Sequence, residues 1–197
     1  MTISAQDVMA LRERTGAGMM ECKKALTESG GDADKAVSYL RERGLAKAAG
    51  KAGRATMEGL IYAYIHPGDK LGVLVEINCE TDFVARTDEF RVLAKDIAMQ
   101  VAAANPVAVR REELDQATVD QERQIFRTQV LNEGKPEKIV DKIVDGKIEK
   151  YFAEVCLMEQ PFVKQPELTI SGLVQAAISK LGENMTVKRF ARFRLGE

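Results

Sequence analysis

The sequence predicts an α+β fold: a front module of three helices, then a core in which a small three-stranded antiparallel sheet packs with helices. Three observations carry this. In residues 1–44, apolar positions recur at helical spacing and are broken by Gly16-Ala17-Gly18, Gly30-Gly31 and Gly44. Two strand-like runs, 57–66 and 71–79, flank Pro67-Gly68-Asp69-Lys70, the signature of a hairpin. Residues 185–195 alternate apolar and basic side chains, as a strand with one buried face does. The boundary between module and core is placed at 55/56, dividing the chain into 1–55 and 56–197.

Ser4 is positioned to cap the first helix, with Asp7 three residues on, and Ala5, Val8, Leu11 and Thr15 fall on one side. A second helix runs from about Met19 to Ser29, with Met19, Cys22 and Leu26 as its expected core face. Met20 then points outward, beside Lys24 and Thr27 and near Lys23. It is either a single exposed methionine or an adaptable apolar contact for a partner. Asp32 caps the third helix, whose inner stripe is Ala33, Ala36, Val37 and Leu40, and Gly44 ends it. Leu45 to Arg54 reads as a basic, partly helical linker.

After the hairpin comes Asn78-Cys79-Glu80-Thr81-Asp82-Phe83-Val84-Ala85-Arg86, a strand-to-helix connection of the kind that carries function. Phe83 at its tip is either a lid folded back on the core or a ring held out for use. Thr87 is the N-cap of the next helix, with Asp88 and Glu89 where the dipole favours acids. That helix bears Phe90, Leu93, Ala94, Ile97, Ala98 and Val101 and ends near Asn105-Pro106. Residues 107–118 read as an acidic, irregular connection. A helix over about 119–131 follows, then a longer one after Pro136 that Asp145-Gly146 kinks or divides. Gln160-Pro161-Phe162-Val163 reads as extended, and a last helix spans about 171–181. In the final strand Met185, Val187, Ala191, Phe193 and Leu195 form one face. Phe190 stands out on the other, among Lys188, Arg192 and Arg194.

Inventory narrows the chemistry. The chain has 197 residues, 45% hydrophobic and 30% charged, which suits a folded protein. A net charge of −1 supplies no global field for nucleic acid or an anionic membrane, so neither is expected as a direct partner. No apolar run has the length of a membrane span, and the first residues lack signal-peptide character. Three widely spaced cysteines fit a reducing cytoplasm, and a single histidine, His66, makes metal or triad sites hard to build. No phosphate-binding glycine loop is present. The expectation is therefore a protein that is not an enzyme and holds no cofactor or metal.

The laid-out residues resemble bacterial elongation factor Ts. The matching motifs, in order, are Arg12-Glu13-Arg14-Thr15-Gly16-Ala17-Gly18-Met19-Met20, Cys22-Lys23-Lys24-Ala25-Leu26, and Asn78 through Arg86. Then come Asn132-Glu133-Gly134-Lys135-Pro136, Gln160-Pro161-Phe162-Val163 and Arg189-Phe190-Ala191-Arg192-Phe193. Glu21 stands where the family pattern has Asp, and Thr87 where Asn is commoner. The front module resembles ubiquitin-associated domains, and the length is similar to the short form of the family, with a single core subdomain. The resemblance implies a cytoplasmic guanine nucleotide exchange factor for elongation factor Tu, both GDP-bound and nucleotide-free. It implies that Thr81, Asp82, Phe83 and Val84 displace Mg²⁺ from the GTPase. It also implies that Met19, Met20, Lys23, Lys51 and His66 contact it. A homodimer through the core is expected, with Phe190 as one motive. Two other readings stand beside this one: a protein-binding adaptor without exchange activity, and an RNA-binding translation protein, which the charge balance disfavours.

Overall fold

The computed structural model describes residues 3–197; Met1 and Thr2, at the head of the front module, lie outside them. The chain divides into two compact units. The first is the chain as far as Gly59 together with Asn78–Phe90 and Val174–Thr186; the second is Leu60–Ile77, Arg91–Leu173 and Val187–Glu197.

The first unit opens with α1 (Ala5–Thr15), α2 (Met19–Glu28) and α3 (Ala33–Ala49). The starts of α1 and α3 are explained locally. Ser4 and Asp7 form a reciprocal capping box at α1. Asp32 accepts from the amides of Asp34 and Lys35, both at 3.0 Å, at α3. Gly16 closes α1 in the left-handed region, φ 67°, where a side chain would be strained. Val8, Leu11, Cys22, Ala25, Leu26 and Ala36 form the module's small core. Two expected members are absent from it. Met19 is exposed on the first turn of α2, before the helix reaches its neighbours, and Ala33 is exposed on the first turn of α3.

The third helix does not end at Gly44, nor is Leu45 to Arg54 a linker throughout: α3 continues to Ala49. Glycine stops a helix when it takes the left-handed region, and Gly44 does not. A Cβ there would meet Ser179 Oγ at 3.3 Å. The missing side chain thus lets α8 (Ile170–Leu181) come close. That packing offsets the cost of about 1 kcal/mol for glycine inside a helix.

The three-stranded sheet has the order β1 (Glu58–Ile65), β2 (Leu71–Cys79), β5 (Met185–Arg194). Gly68 and Asp69, both at positive φ, turn β1 into β2, and the His66 amide donates to the Leu71 carbonyl at 2.8 Å. In β2 the odd positions Val73, Val75 and Ile77 are buried while Leu74 is exposed, the alternation of a sheet covered on one face.

The last strand departs from the expected alternation. Met185 and Val187 are buried, but Lys188 and Arg189 are both exposed, and the pattern slips by one from there. Phe190 is consequently half-buried, and Arg192 turns in, its side chain only 9% exposed and paired with Glu197 at 2.8 Å. Phe193 and Leu195, expected inside, face solvent. Arg189 holds Glu76 of β2 at 2.7 Å on the outer face.

The second unit also contains a helical hairpin, α6 (Gln116–Asn132) and α7 (Glu137–Val155), with its own core of Val130, Val140, Val144 and Ile148. α7 runs through Asp145-Gly146 without division; Asp145 pairs with Arg123 of α6 at 2.5 Å, fastening the helix at that point. Residues 107–118 are less irregular than expected. Ala108 bridges Cys156, Arg111–Glu113 forms a short 3₁₀ turn, and the Arg111 guanidinium holds Glu149 and Glu159 while lying 4.3 Å from the Phe152 ring. The extended segment at 161 is a small hairpin, β3 (Pro161–Phe162) with β4 (Gln165–Thr169). It is held by Gln100, buried on α5 (Asp88–Ala104), whose amide donates to Gln160 Oε1 at 3.0 Å and the Pro161 carbonyl at 3.2 Å.

All three cysteines are free and buried. Burial raises the thiols of Cys79 and Cys156 to about 11, so neither carries appreciable thiolate at neutral pH. Iodoacetamide is therefore expected to leave all three unlabelled in the native protein and to label them in denaturant; stoichiometric native labelling of Cys79 or Cys156, read by mass spectrometry, would contradict the packing.

Candidate functional site

The stretch that stands out chemically is not an irregular loop. Thr81 is the N-cap of a single helical turn, α4 (Asp82–Ala85), with its side chain accepting from the Val84 amide at 3.5 Å. Asp82 pairs with Arg86 at 2.8 Å across the turn. Thr87 ends it, its hydroxyl donating to the Val84 carbonyl at 2.8 Å and accepting from the Phe90 amide at 3.2 Å. Thr87 thereby caps α5, as its position predicts. Ala85 and Phe90 are the inward anchors; Thr81, Asp82 and Val84 are half-buried. Phe83 alone among these apolar groups is 79% exposed. It is not a lid. Holding the ring in water forgoes roughly 1.5–3 kcal/mol of burial.

The segment entering the turn is fastened from the connection between α8 and β5. Glu183 Oε2 accepts from the amides of Glu80 at 3.1 Å and Thr81 at 3.0 Å, and Glu183 Oε1 accepts from the Thr81 hydroxyl at 2.6 Å. In return Glu80 accepts from the Asn184 amide at 2.6 Å and lies 3.4 Å from the Arg54 guanidinium. The Asn184 side chain donates to the carbonyls of Ala52 at 3.4 Å and Arg54 at 2.8 Å. Cys79 donates its thiol to the Thr81 carbonyl at 3.1 Å.

Comparison with known proteins places the chain in a family. The family model described as Elongation factor TS matches residues 34–197. Elongation factor Ts of Heliobacterium modesticaldum is 62% identical over 99% of this chain and 91% of its own length. That of Carboxydothermus hydrogenoformans is 59% identical over 99% and 90%. That of Desulfosudis oleivorans is 56% identical over 100% and 99%. The chain belongs to the elongation factor Ts family.

The residues that the elongation factor Ts resemblance singles out fall into separate groups. Met19, Met20 and Lys23 are together and exposed on α2, Met20 at 75%. Lys51 is half-buried, and its amine donates to the Gly182 carbonyl within the first unit. Thr81, Asp82, Phe83 and Val84 share the same unit. His66 belongs to the second unit, exposed at the β1–β2 turn with Nδ1 3.0 Å from the Tyr64 hydroxyl. Among the described residues no group of three or more His, Cys, Asp or Glu side chains could hold a metal ion. Nor is any helix there long and apolar enough to cross a membrane.

Glu183 and Asn184 are the site residues that sequence reasoning missed. Gly182-Glu183-Asn184 reads as a plain polar turn, and nothing in its spacing indicates a partner about a hundred residues earlier in the chain. The one available signal was an acid beside a glycine at a helix-to-strand connection, which is common.

The Asn184 amide, and after it the charge of Arg54, hold the Glu80 carboxyl below its ordinary value of 4.5. A lowered folded value means that the stabilisation is present above about pH 4.5 and lost as pH falls through the lowered value. In thermal unfolding followed by circular dichroism, Glu80→Gln is expected to be less stable than the parent near neutrality and to lose less stability on acidification below that window. Parallel pH profiles for the two proteins would refute the assignment.

Proposed function

We propose that this protein is a guanine nucleotide exchange factor for elongation factor Tu, acting in the cytoplasm during translation, and that it performs no covalent chemistry of its own. The observation that carries the reading is Phe83, a ring kept 79% exposed on a turn fastened by bonds from another segment. GDP in a GTPase is gripped by backbone donors and by Mg²⁺ bridging phosphate and protein oxygens. A rigid ring wedged between elements of the GTPase shifts the metal's ligands without touching the nucleotide. Val84 and Thr81 complete the inserted turn. Asp82, paired with Arg86, serves first to order it. Met19, Met20 and Lys23 on α2 and His66 on the hairpin dock the partner, and the internal bond of Lys51 gives it a supporting part.

By linkage, the factor loosens GDP by the same ratio as GDP loosens the factor. Phe83→Ala is therefore expected to slow GDP release from elongation factor Tu at saturating factor by tenfold or more, since roughly 1.4 kcal/mol of coupling corresponds to that ratio. Lowering free Mg²⁺ should bring mutant and parent together, because removing the metal does what the wedge does. If release of labelled GDP is unaffected by the parent protein, the adaptor reading takes its place.

We also propose a homodimer formed through the outer face of the sheet. Ile61, Ile65, Leu74 and Phe193 are all exposed there. Ile65 Cδ1 overlies the position of Gly72, 3.1 Å from where a Cβ would stand, which puts these side chains on one side. A flat apolar face of this kind suits an isologous contact with a second copy. The motive has moved from Phe190, which is half-buried, to Phe193. Sedimentation at micromolar concentration is expected to show a dimer that Phe193→Asp splits; a parent of 21.8 kDa only would exclude it.

A further inference from the structure

A four-residue helical turn cannot hold itself in shape. Nucleating the first turn of a helix fixes about six dihedrals for one hydrogen bond, so an isolated turn is melted in water. α4 is such a turn, and it must present an apolar ring that would gain by collapsing onto the surface. Its own bonds are weak or shared: the Thr81 cap is 3.5 Å long, and the Asp82–Arg86 pair is exposed and worth only a few tenths of a kcal/mol. The rigidity has to come from outside the turn.

One side chain supplies most of it. Glu183 takes both amides that lead into the turn and the hydroxyl that caps it, three charge-assisted bonds of 2.6–3.1 Å. Its neighbour Asn184 returns a bond to Glu80, so the two segments hold each other reciprocally. Asn184 also reaches the carbonyls of Ala52 and Arg54, and Lys51 bonds Gly182, so the segment that follows α3 is fastened to the same connection. Glu183 directs all three of these bonds to the segment entering the turn. Its geometry is that of a part that aims another.

We propose that Glu183 is the positioning residue of exchange: it sets the Phe83 turn, and through that turn alone it controls the maximal rate of nucleotide release. This rests on the exchange reading given above. A loose turn pays an ordering entropy on insertion, whereas a latched one does not, so the effect falls on the distorted ternary state. Encounter with the GTPase, assigned above to α2 and His66, is left unchanged.

The experiment measures release of labelled GDP from elongation factor Tu against factor concentration for the parent, Phe83→Ala, Glu183→Ala and the double variant. Glu183→Gln completes the set. The expected result is that Glu183→Ala lowers the saturating rate about tenfold, the scale of losing charged-acceptor hydrogen bonds. Its half-saturating concentration should stay within about twofold. The double variant should be no slower than Phe83→Ala, since a residue acting only through Phe83 has nothing left to position. Glu183→Gln should recover most of the rate, because its carbonyl oxygen can take both amides while its NH₂ donates to the Thr81 hydroxyl. Amide exchange at Glu80 and Thr81 should accelerate in Glu183→Ala and not in Phe83→Ala.

A parent-like saturating rate in Glu183→Ala while Phe83→Ala is slow overturns the inference alone. So do losses that multiply in the double variant, or a glutamine variant as slow as the alanine one. A parent protein that fails to speed release overturns the exchange reading and this inference with it. If Glu183→Ala does not fold, Thr81→Val carries the test. It keeps both amides and loses the 2.6 Å hydroxyl bond together with the weak 3.5 Å cap on the Val84 amide; about a threefold loss at saturation is expected, and an unchanged rate is a refutation.

Discussion

Keeping one aromatic ring in water, at a fixed place, is the constraint on which the surrounding architecture depends. Phe83 could lower its free energy by folding back, and a single helical turn has no intrinsic stiffness to prevent it. Each bond around the turn makes sense as a response. The Thr87 hydroxyl joins the end of α4 to the start of α5, Phe90 buries itself completely one turn later, and Cys79 donates into the Thr81 carbonyl from beneath. The carboxylates of Glu80 and Glu183 exchange bonds across two segments that are remote in sequence. The exposed ring is thus an output of many short-range bonds, none of which is large.

The front module meets a different problem. Its core is built from one leucine pair, a valine, a cysteine and alanines, so capping has to contribute a larger share than in a bigger domain. Ser4, Asp7 and Asp32 do this at the helix starts, and Gly16 at the first helix end. The small core leaves Met19, Met20 and Lys23 free of structural duty on α2. The same economy explains Gly44. A residue that usually ends a helix is used inside one, because its bare backbone admits Ser179 of α8.

The sheet shows how much one residue of slippage changes. With Lys188 and Arg189 both outward, the second half of β5 exchanges its faces. Arg192 turns in toward Glu197, while Phe193 joins Ile61, Ile65 and Leu74 on an apolar outer surface. A basic strand that sequence alone would assign to edge protection becomes a face suited to contact. The salt bridge from Arg189 to Glu76 lies on that same side.

The sequence by itself determined the fold class, the three front helices with the caps of the first and third, the β1–β2 hairpin, the Thr87 cap and the stripe of α5, because each follows from a local period or a local hydrogen bond. It also marked Thr81 to Val84 as unusual and carried the family motifs. Only the tertiary structure decided that Phe83 faces solvent, that α3 passes through Gly44, that β5 slips by one residue, and that Glu183 holds the Phe83 turn. The partners met at these places are far along the chain: Ser179 for Gly44, Glu76 for Arg189, Glu183 for Thr81. A local pattern reports the preferences of a segment for itself, whereas these outcomes are set by what another segment brings within bonding distance.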